Sequence, residues 1–177
     1  MKFLPTTLHG VWKIALSEFT DERGFFARTF CAETFRSHGL EGNFHQHSLS
    51  YSHTRGTVRG MHFQIAPHSE VKLVRCQRGT VYDVLLDLRP ESPTFRKWEA
   101  FELSGENRHQ LYVPKGYAHG FQSLTDDAEV SYLISESYAP KAASGVRHDD
   151  PAFGIIWPLP VTALSEKDRI WLDFKVS

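Results

Sequence analysis

The chain has 177 residues, the length of one ordinary domain, and its 41% hydrophobic and 23% charged residues are typical of globular proteins. Twenty Lys and Arg face 21 Asp and Glu, with ten positive and eight negative charges in residues 1–88 and ten and thirteen in residues 89–177. That balance excludes a basic platform for nucleic acid and an acidic tail, and 13 Phe, 6 Tyr and 4 Trp exclude a disordered chain.

The N-terminal MKFLPTTLHGVWK has no apolar stretch of secretory length, and no apolar run anywhere is long enough to span a membrane. Cys31 and Cys76 are too few and too far apart for a disulfide scaffold, which fits a reducing compartment. A cytoplasmic protein of one domain, residues 1–177, is the expectation.

In chain order, turn signals recur at Asp21–Gly24, Gly39–Gly42, Arg55–Gly56, Arg78–Gly79, Arg89–Pro90, Ser104–Gly105, Pro114–Gly116 and Asp126–Asp127. The segments between them are of strand length and rich in Val, Leu, Phe and Tyr. Ala32–His38 reads as a short helix closed by Gly39. Val71–Cys76 and Thr80–Leu88 flank Gln77-Arg78-Gly79 and read as a hairpin. Glu129–Ser135 alternates with a period of two, which puts Val130, Tyr132 and Ile134 on one face. Many short strands with turns every 8–15 residues imply an all-β jelly-roll sandwich or barrel.

Thr80–Leu88 places Asp83 and Asp87 on the face of Val81 and Leu85. An acid in so apolar a strand faces either solvent or a polar cavity, and the second case makes Asp83 a catalytic candidate. Polar residues also concentrate beside glycine in Gly56–Gln64, Val71–Arg75 and Pro114–Phe121. As a metal site these partly match the pattern of metal-binding cupins, but Gln64 stands where a second histidine is required. Only His62 and His119 are placed to ligate, so no metal is expected. A histidine, a lysine and a tyrosine in a barrel cavity suit proton transfer beside a carbonyl instead: a base, an oxyanion donor and an acid. Taken singly, each of the three is as readily a satisfied core residue.

Taken together, the segments Asp21–Phe26, Arg59–Gln64, Lys72–Cys76, Asp83–Arg89, Ser92–Thr94, Pro114–Phe121, Ile156–Pro158 and Leu164–Asp168 resemble the dTDP-4-dehydrorhamnose 3,5-epimerase family in order and spacing. The resemblance runs over about residues 10–170. It implies a cupin-type jelly-roll barrel with short flanking helices, a homodimer, and epimerisation of a nucleotide-diphosphate-linked 4-keto-6-deoxy sugar without a cofactor. It also implies roles: His62 as general base, Asp168 as its partner, Lys72 at the enolate oxygen and Tyr132 as the opposing proton donor. Arg23 and Arg59 match substrate-binding arginines, with Arg23 expected to act across the dimer. His119 and Lys167 match further ligand contacts, Tyr138 matches an aromatic near the nucleoside, and Gln46 matches a family glutamine.

Three positions depart from the family pattern. Arg28 stands where a glutamate is frequent, and Ser48 stands for an asparagine. The glutamate after the Tyr-x-Pro segment has no equivalent around Ser144. All three belong to substrate recognition, so Arg28 and Ser48 stay as candidate substrate contacts and the nucleotide stays open among dTDP, CDP and GDP. A catalytically silent sugar-nucleotide-binding cupin and a metal-dependent cupin enzyme are the competing classes.

Overall fold

The fold is taken from a computed structural model, which describes residues 1–175. Within them lie β1 (Lys2–Pro5), β2 (Trp12–Ala15), β3 (Glu18–Asp21), β4 (Gly24–Ala27), α1 (Ala32–Ser37), β5 (Gln46–Ser52), β6 (Val58–Gln64) and β7 (Lys72–Arg78). There follow β8 (Thr80–Asp87), β9 (Trp98–Ser104), β10 (Gln110–Val113), β11 (Tyr117–Ser123), β12 (Ala128–Ile134), β13 (Ala143–Gly145) and α2 (Glu166–Arg169). One antiparallel sheet has the order β1-β2-β10-β7-β12-β5 and a second the order β13-β6-β11-β8-β9. The hairpin β3–β4 forms its own two-stranded sheet. This is the all-β jelly-roll layout that the turn spacing implies.

Alternation along the strands builds the interior. Val74 and Cys76 of β7, Val81 and Leu85 of β8, Phe121 of β11 and Val130 of β12 bury between the two large sheets. The opposite faces are covered too. Phe35 of α1 packs with Ile14, Leu73 and Tyr112, while Met61, Val84, Leu86 and Ala118 lie under Phe153, Trp157 and Phe174. Strand β8 is therefore apolar on both faces because both are covered. The Ala32–His38 helix forms as expected, and Tyr132 pairs across to Val74 on the inner face.

The expected hairpin of Val71–Cys76 with Thr80–Leu88 does not form. Strand β7 pairs with β10 and β12, whereas β8 pairs with β11 and β9, so the turn at Gly79 carries the chain from one sheet to the other. Gly79 has φ +72°, and a Cβ there would sit 2.4 Å from Thr125 Oγ1. A tight turn between two apolar segments is satisfied equally by a hairpin or by a sheet-to-sheet corner; the long-range partners of each strand decide.

Candidate active site

One end of the barrel opens into a cleft of about 590 Å³ between the two sheets, a size that suits a small organic ligand. Strand β6 contributes Arg59, His62 and Gln64, β7 contributes Lys72, and β12 contributes Tyr132 and Ile134. Gln46 and Ser50 come from β5, Tyr138 from the loop after β12, and Lys167 and Asp168 from α2. A recess of about 250 Å³, bordered by Ser48, Arg59, His62, Lys72, His119 and Tyr132, shares several of these walls.

Close approach of β6 and β11 seats the histidines. A Cβ on Gly60 would lie 2.4 Å from the Gly120 Cα, and a Cβ on Gly120 would lie 2.8 Å from the Arg59 carbonyl. The ladder shifts register at this point, and His62 ends opposite His119. His62 Nε2 meets Asp168 Oδ1 at 2.5 Å. Asp168 arrives on a one-turn helix whose N-cap, Ser165, accepts from the Asp168 amide. That helix is held by Trp171, which fills the space a side chain at Gly145 would need, at 2.6 Å. Burial on its own would raise the Asp168 carboxyl; the hydrogen bond and charge of His62, with help from Ser165 and the Gly60 amide, outweigh it and hold the group below the usual carboxylate range.

Tyr132 shares a hydrogen bond with Ser50 Oγ at 3.1 Å, and its ring stands edge-on to His119, 6.0 Å between centroids. Burial pushes its phenol well above the ordinary tyrosine value, against a smaller opposing effect of Ser50. The hydroxyl therefore keeps its proton throughout the neutral range. Lys72 Nζ donates to the His62 carbonyl at 3.1 Å. Arg59 is pinned by Nε to Ser52 Oγ at 3.1 Å and by Nη2 to the Tyr51 carbonyl at 2.6 Å. Lys167 Nζ stacks over the Trp171 ring at 5.4 Å.

The structure thus brings Gln46, Arg59, His62, Lys72, Tyr132, Tyr138, Lys167 and Asp168 to one cleft, with Ser48 and His119 on its inner recess. Asp83 is buried behind that wall, where its Oδ2 binds His119 Nε2 at 2.8 Å, so it faces neither solvent nor the cleft. Arg23 and Arg28 do not line the cleft of their own chain. Arg23 projects from the β3–β4 turn into solvent, paired with Asp21. Gln64, in the position a metal-binding cupin gives to histidine, donates to the His68 and Ser137 carbonyls and accepts from the Ala139 amide. Its amide staples two loops. Among the described residues, no three His, Cys, Asp or Glu side chains are grouped to hold a metal ion.

Three polar wall residues drew no notice in the sequence reading: Ser50, Glu70 and Glu136. Only for Ser50 was a clue present, in its period-two spacing from Gln46 and Ser48. The α2 turn had a clue as well, since Ser165 and Asp168 form an N-capping pair three residues apart.

A family model described as dTDP-4-dehydrorhamnose 3,5-epimerase matches residues 5–175. The dTDP-4-dehydrorhamnose 3,5-epimerase of Methanothermobacter thermautotrophicus is 44% identical over 173 residues, covering 96% of this chain and 92% of that protein. The crystal structure of the enzyme of that name from Elizabethkingia anophelis superposes with a TM-score of 0.95 at 40% identity, over 98% of this chain and 96% of that one. A Legionella pneumophila epimerase, solved in complex with dTDP-4-keto-L-rhamnose, superposes at 0.89 with 36% identity, over 95% and 89% of the two chains. The fold is accordingly the cupin-type jelly roll of those enzymes. With the match spanning nearly every residue and the cleft assembled from the same segments, this chain belongs to the dTDP-4-dehydrorhamnose 3,5-epimerase family.

Proposed function

We propose that the chain epimerises C3, C5 or both carbons of a nucleotide-diphosphate-linked 4-keto-6-deoxyhexose, by way of an enolate. The observation that carries this reading is the cleft itself, with the His62–Asp168 pair, Lys72 and Tyr132 on its walls. A ketone at C4 acidifies the hydrogens at C3 and C5. The Asp168 carboxylate accepts the Nε2 proton of His62, which leaves the Nδ1 lone pair to take one of those hydrogens. The electron pair moves onto the C4 oxygen, where the Lys72 ammonium donates to it. Tyr132, kept protonated by burial, returns a proton from the other face and inverts the carbon. Exchange with water then resets both groups. No electrons leave or enter the sugar, so the scheme needs no redox partner.

His119, fixed by Asp83, and Lys167 serve as sugar and phosphate contacts, with Arg59 and Arg23 on the diphosphate, where a guanidinium fork matches the oxygens. Gln46 and Tyr138 face the nucleoside, Ser48 lies toward the sugar beside the catalytic recess, and Arg28 lies outside this set. The Tyr138 amide donates to Gln46 Oε1 at 3.0 Å, which holds the two together. The names of the relatives favour thymidine as the nucleoside. The working form is a homodimer in which the β3–β4 hairpin reaches the partner's cleft. Supporting this, Phe19, Phe25 and Phe26 are exposed on that hairpin, and β5 ends its sheet with an edge that no strand among the described residues pairs. The cytoplasm, where nucleotide sugars are made, is the proposed location.

Incubating the protein with dTDP-, CDP- and GDP-linked 4-keto-6-deoxyglucose in deuterium oxide tests the proposal. NMR then reports exchange and inversion at C3 and C5 together. The expected result is exchange with inversion on the dTDP sugar. A protein that binds all three and exchanges none is a silent binder.

A further inference from the structure

We infer that Glu70 is a positioning residue that aims Lys72, clamping the strand of the oxyanion donor to the strand of the base. The inference rests on the reading of Lys72 as the donor to the C4 oxygen. Glu70 precedes β7 by two residues, and its side chain turns to the same side as that of Lys72. Their side chains are 6% and 12% exposed, and Glu70 Oε1 lies 3.1 Å from Lys72 Nζ. The other carboxylate oxygen, Oε2, accepts the backbone amide of Gln64 at 3.1 Å. Gln64 and His62 lie on β6, in the five-stranded sheet, whereas Lys72 lies on β7, in the six-stranded sheet. Glu70 therefore ties the two sheets together at the cleft.

The ammonium group has three N–H donors. One is engaged by Glu70 and one by the His62 carbonyl, at 3.1 Å each. Tetrahedral geometry then assigns the direction of the third, on the side that borders the cleft. Such a donor is already oriented before substrate arrives, which is the condition under which electrostatic stabilisation costs no reorganisation. Stability alone is a poor reason for the arrangement, because a buried ion pair is often replaced by apolar residues at no loss.

A double-mutant cycle tests this, with wash-in kinetics read as kcat and KM on the dTDP sugar. Glu70→Ala should lower kcat by roughly 10- to 100-fold, the cost of a misplaced catalytic group, with KM changed less than about threefold. In a Lys72→Ala background the same substitution should cost less than about twofold, because the group it aims is gone. Glu70→Gln keeps the volume and one of the two contacts, so it should fall between. If Glu70→Ala does not fold, Glu70→Gln carries the same cycle. Unchanged kcat in Glu70→Ala, or an equal loss with and without Lys72, overturns the inference and leaves the proposed reaction standing. Wild-type kcat in Lys72→Ala removes the donor role itself, and the role of Glu70 with it.

Discussion

His62 and His119 stand opposite one another on β6 and β11, and each gives its Nε2 to an aspartate, Asp168 at 2.5 Å and Asp83 at 2.8 Å. The two pairs differ in access. The His62 side chain is 44% exposed and that of His119 only 5%. A base must reach a substrate carbon, and His62 is the member of the pair with the room to do so.

His62→Asn should therefore abolish deuterium wash-in at C3 and C5, with a loss of at least roughly 10²–10⁴-fold. Binding of dTDP, measured by calorimetry, should stay close to wild type, since the phosphates and base contact other residues. Exchange at the parent rate would move the base elsewhere, with His119 the first alternative.

Tyr132→Phe keeps the ring that packs beside His119 and removes the hydroxyl shared with Ser50. Stability should change by about 1 kcal/mol or less, the net worth of one hydrogen bond. Proton removal by His62 should continue, so hydrogens exchange with retention while inversion falls steeply. Normal inversion at both carbons would assign the acid to another group.

Arg59→Ala and Arg23→Ala should raise KM by roughly 10- to 100-fold, from 1.5–3 kcal/mol per charged hydrogen bond, with a smaller change in kcat. The diphosphate keeps its charge through the reaction, so its contacts are nearly equal in the ground and transition states. Arg23 adds a geometric test, because it does not line the cleft of its own chain. A mixed dimer of Arg23→Ala and His62→Asn subunits should regain one complete site at low substrate concentration. No gain over the separate variants would place Arg23 in its own subunit's function or in none.

Asp87→Asn should destabilise the fold by about 1–3 kcal/mol, the cost of taking the charged acceptor away from Arg89, Ser92 and Thr94. Asp87 is fully buried and accepts from Arg89, Ser92 Oγ and Thr94 Oγ1. Burial opposes ionisation, yet Arg89, Ser92 and Thr94 together push its pKa far below the usual carboxylate range. A depressed folded-state value means the stabilisation is complete above the unfolded pKa of about 3.9 and is lost as pH falls through the folded one. Denaturant midpoints should thus separate parent and variant most at neutral pH and converge in strong acid. The gap should narrow steadily as pH falls below about 3.9, and a gap that stays constant from neutral pH down to pH 2 would show a packing defect instead.

Local chemistry in the chain carried the class of fold and the inward face of β12, whereas most of the cleft was legible only through the resemblance to the epimerase family. Strand periodicity and turn residues act over fewer than ten positions, so they are legible one segment at a time. The motifs around His62, Lys72 and Asp168 are equally short, and only their order and spacing along the whole chain, matched to the family, gave them meaning. Tertiary structure decided whatever depends on a distant partner. Whether Gly79 closed a hairpin or a corner depended on β10, β11 and β12 competing for the strands on either side. Whether Asp83 faced solvent or a histidine depended on β11 lying beside β8. Glu70 drew no notice because its meaning lies in the Gln64 amide across the barrel. Hydrogen bonds between sheets have no period along the chain, and only the closed barrel assigns them.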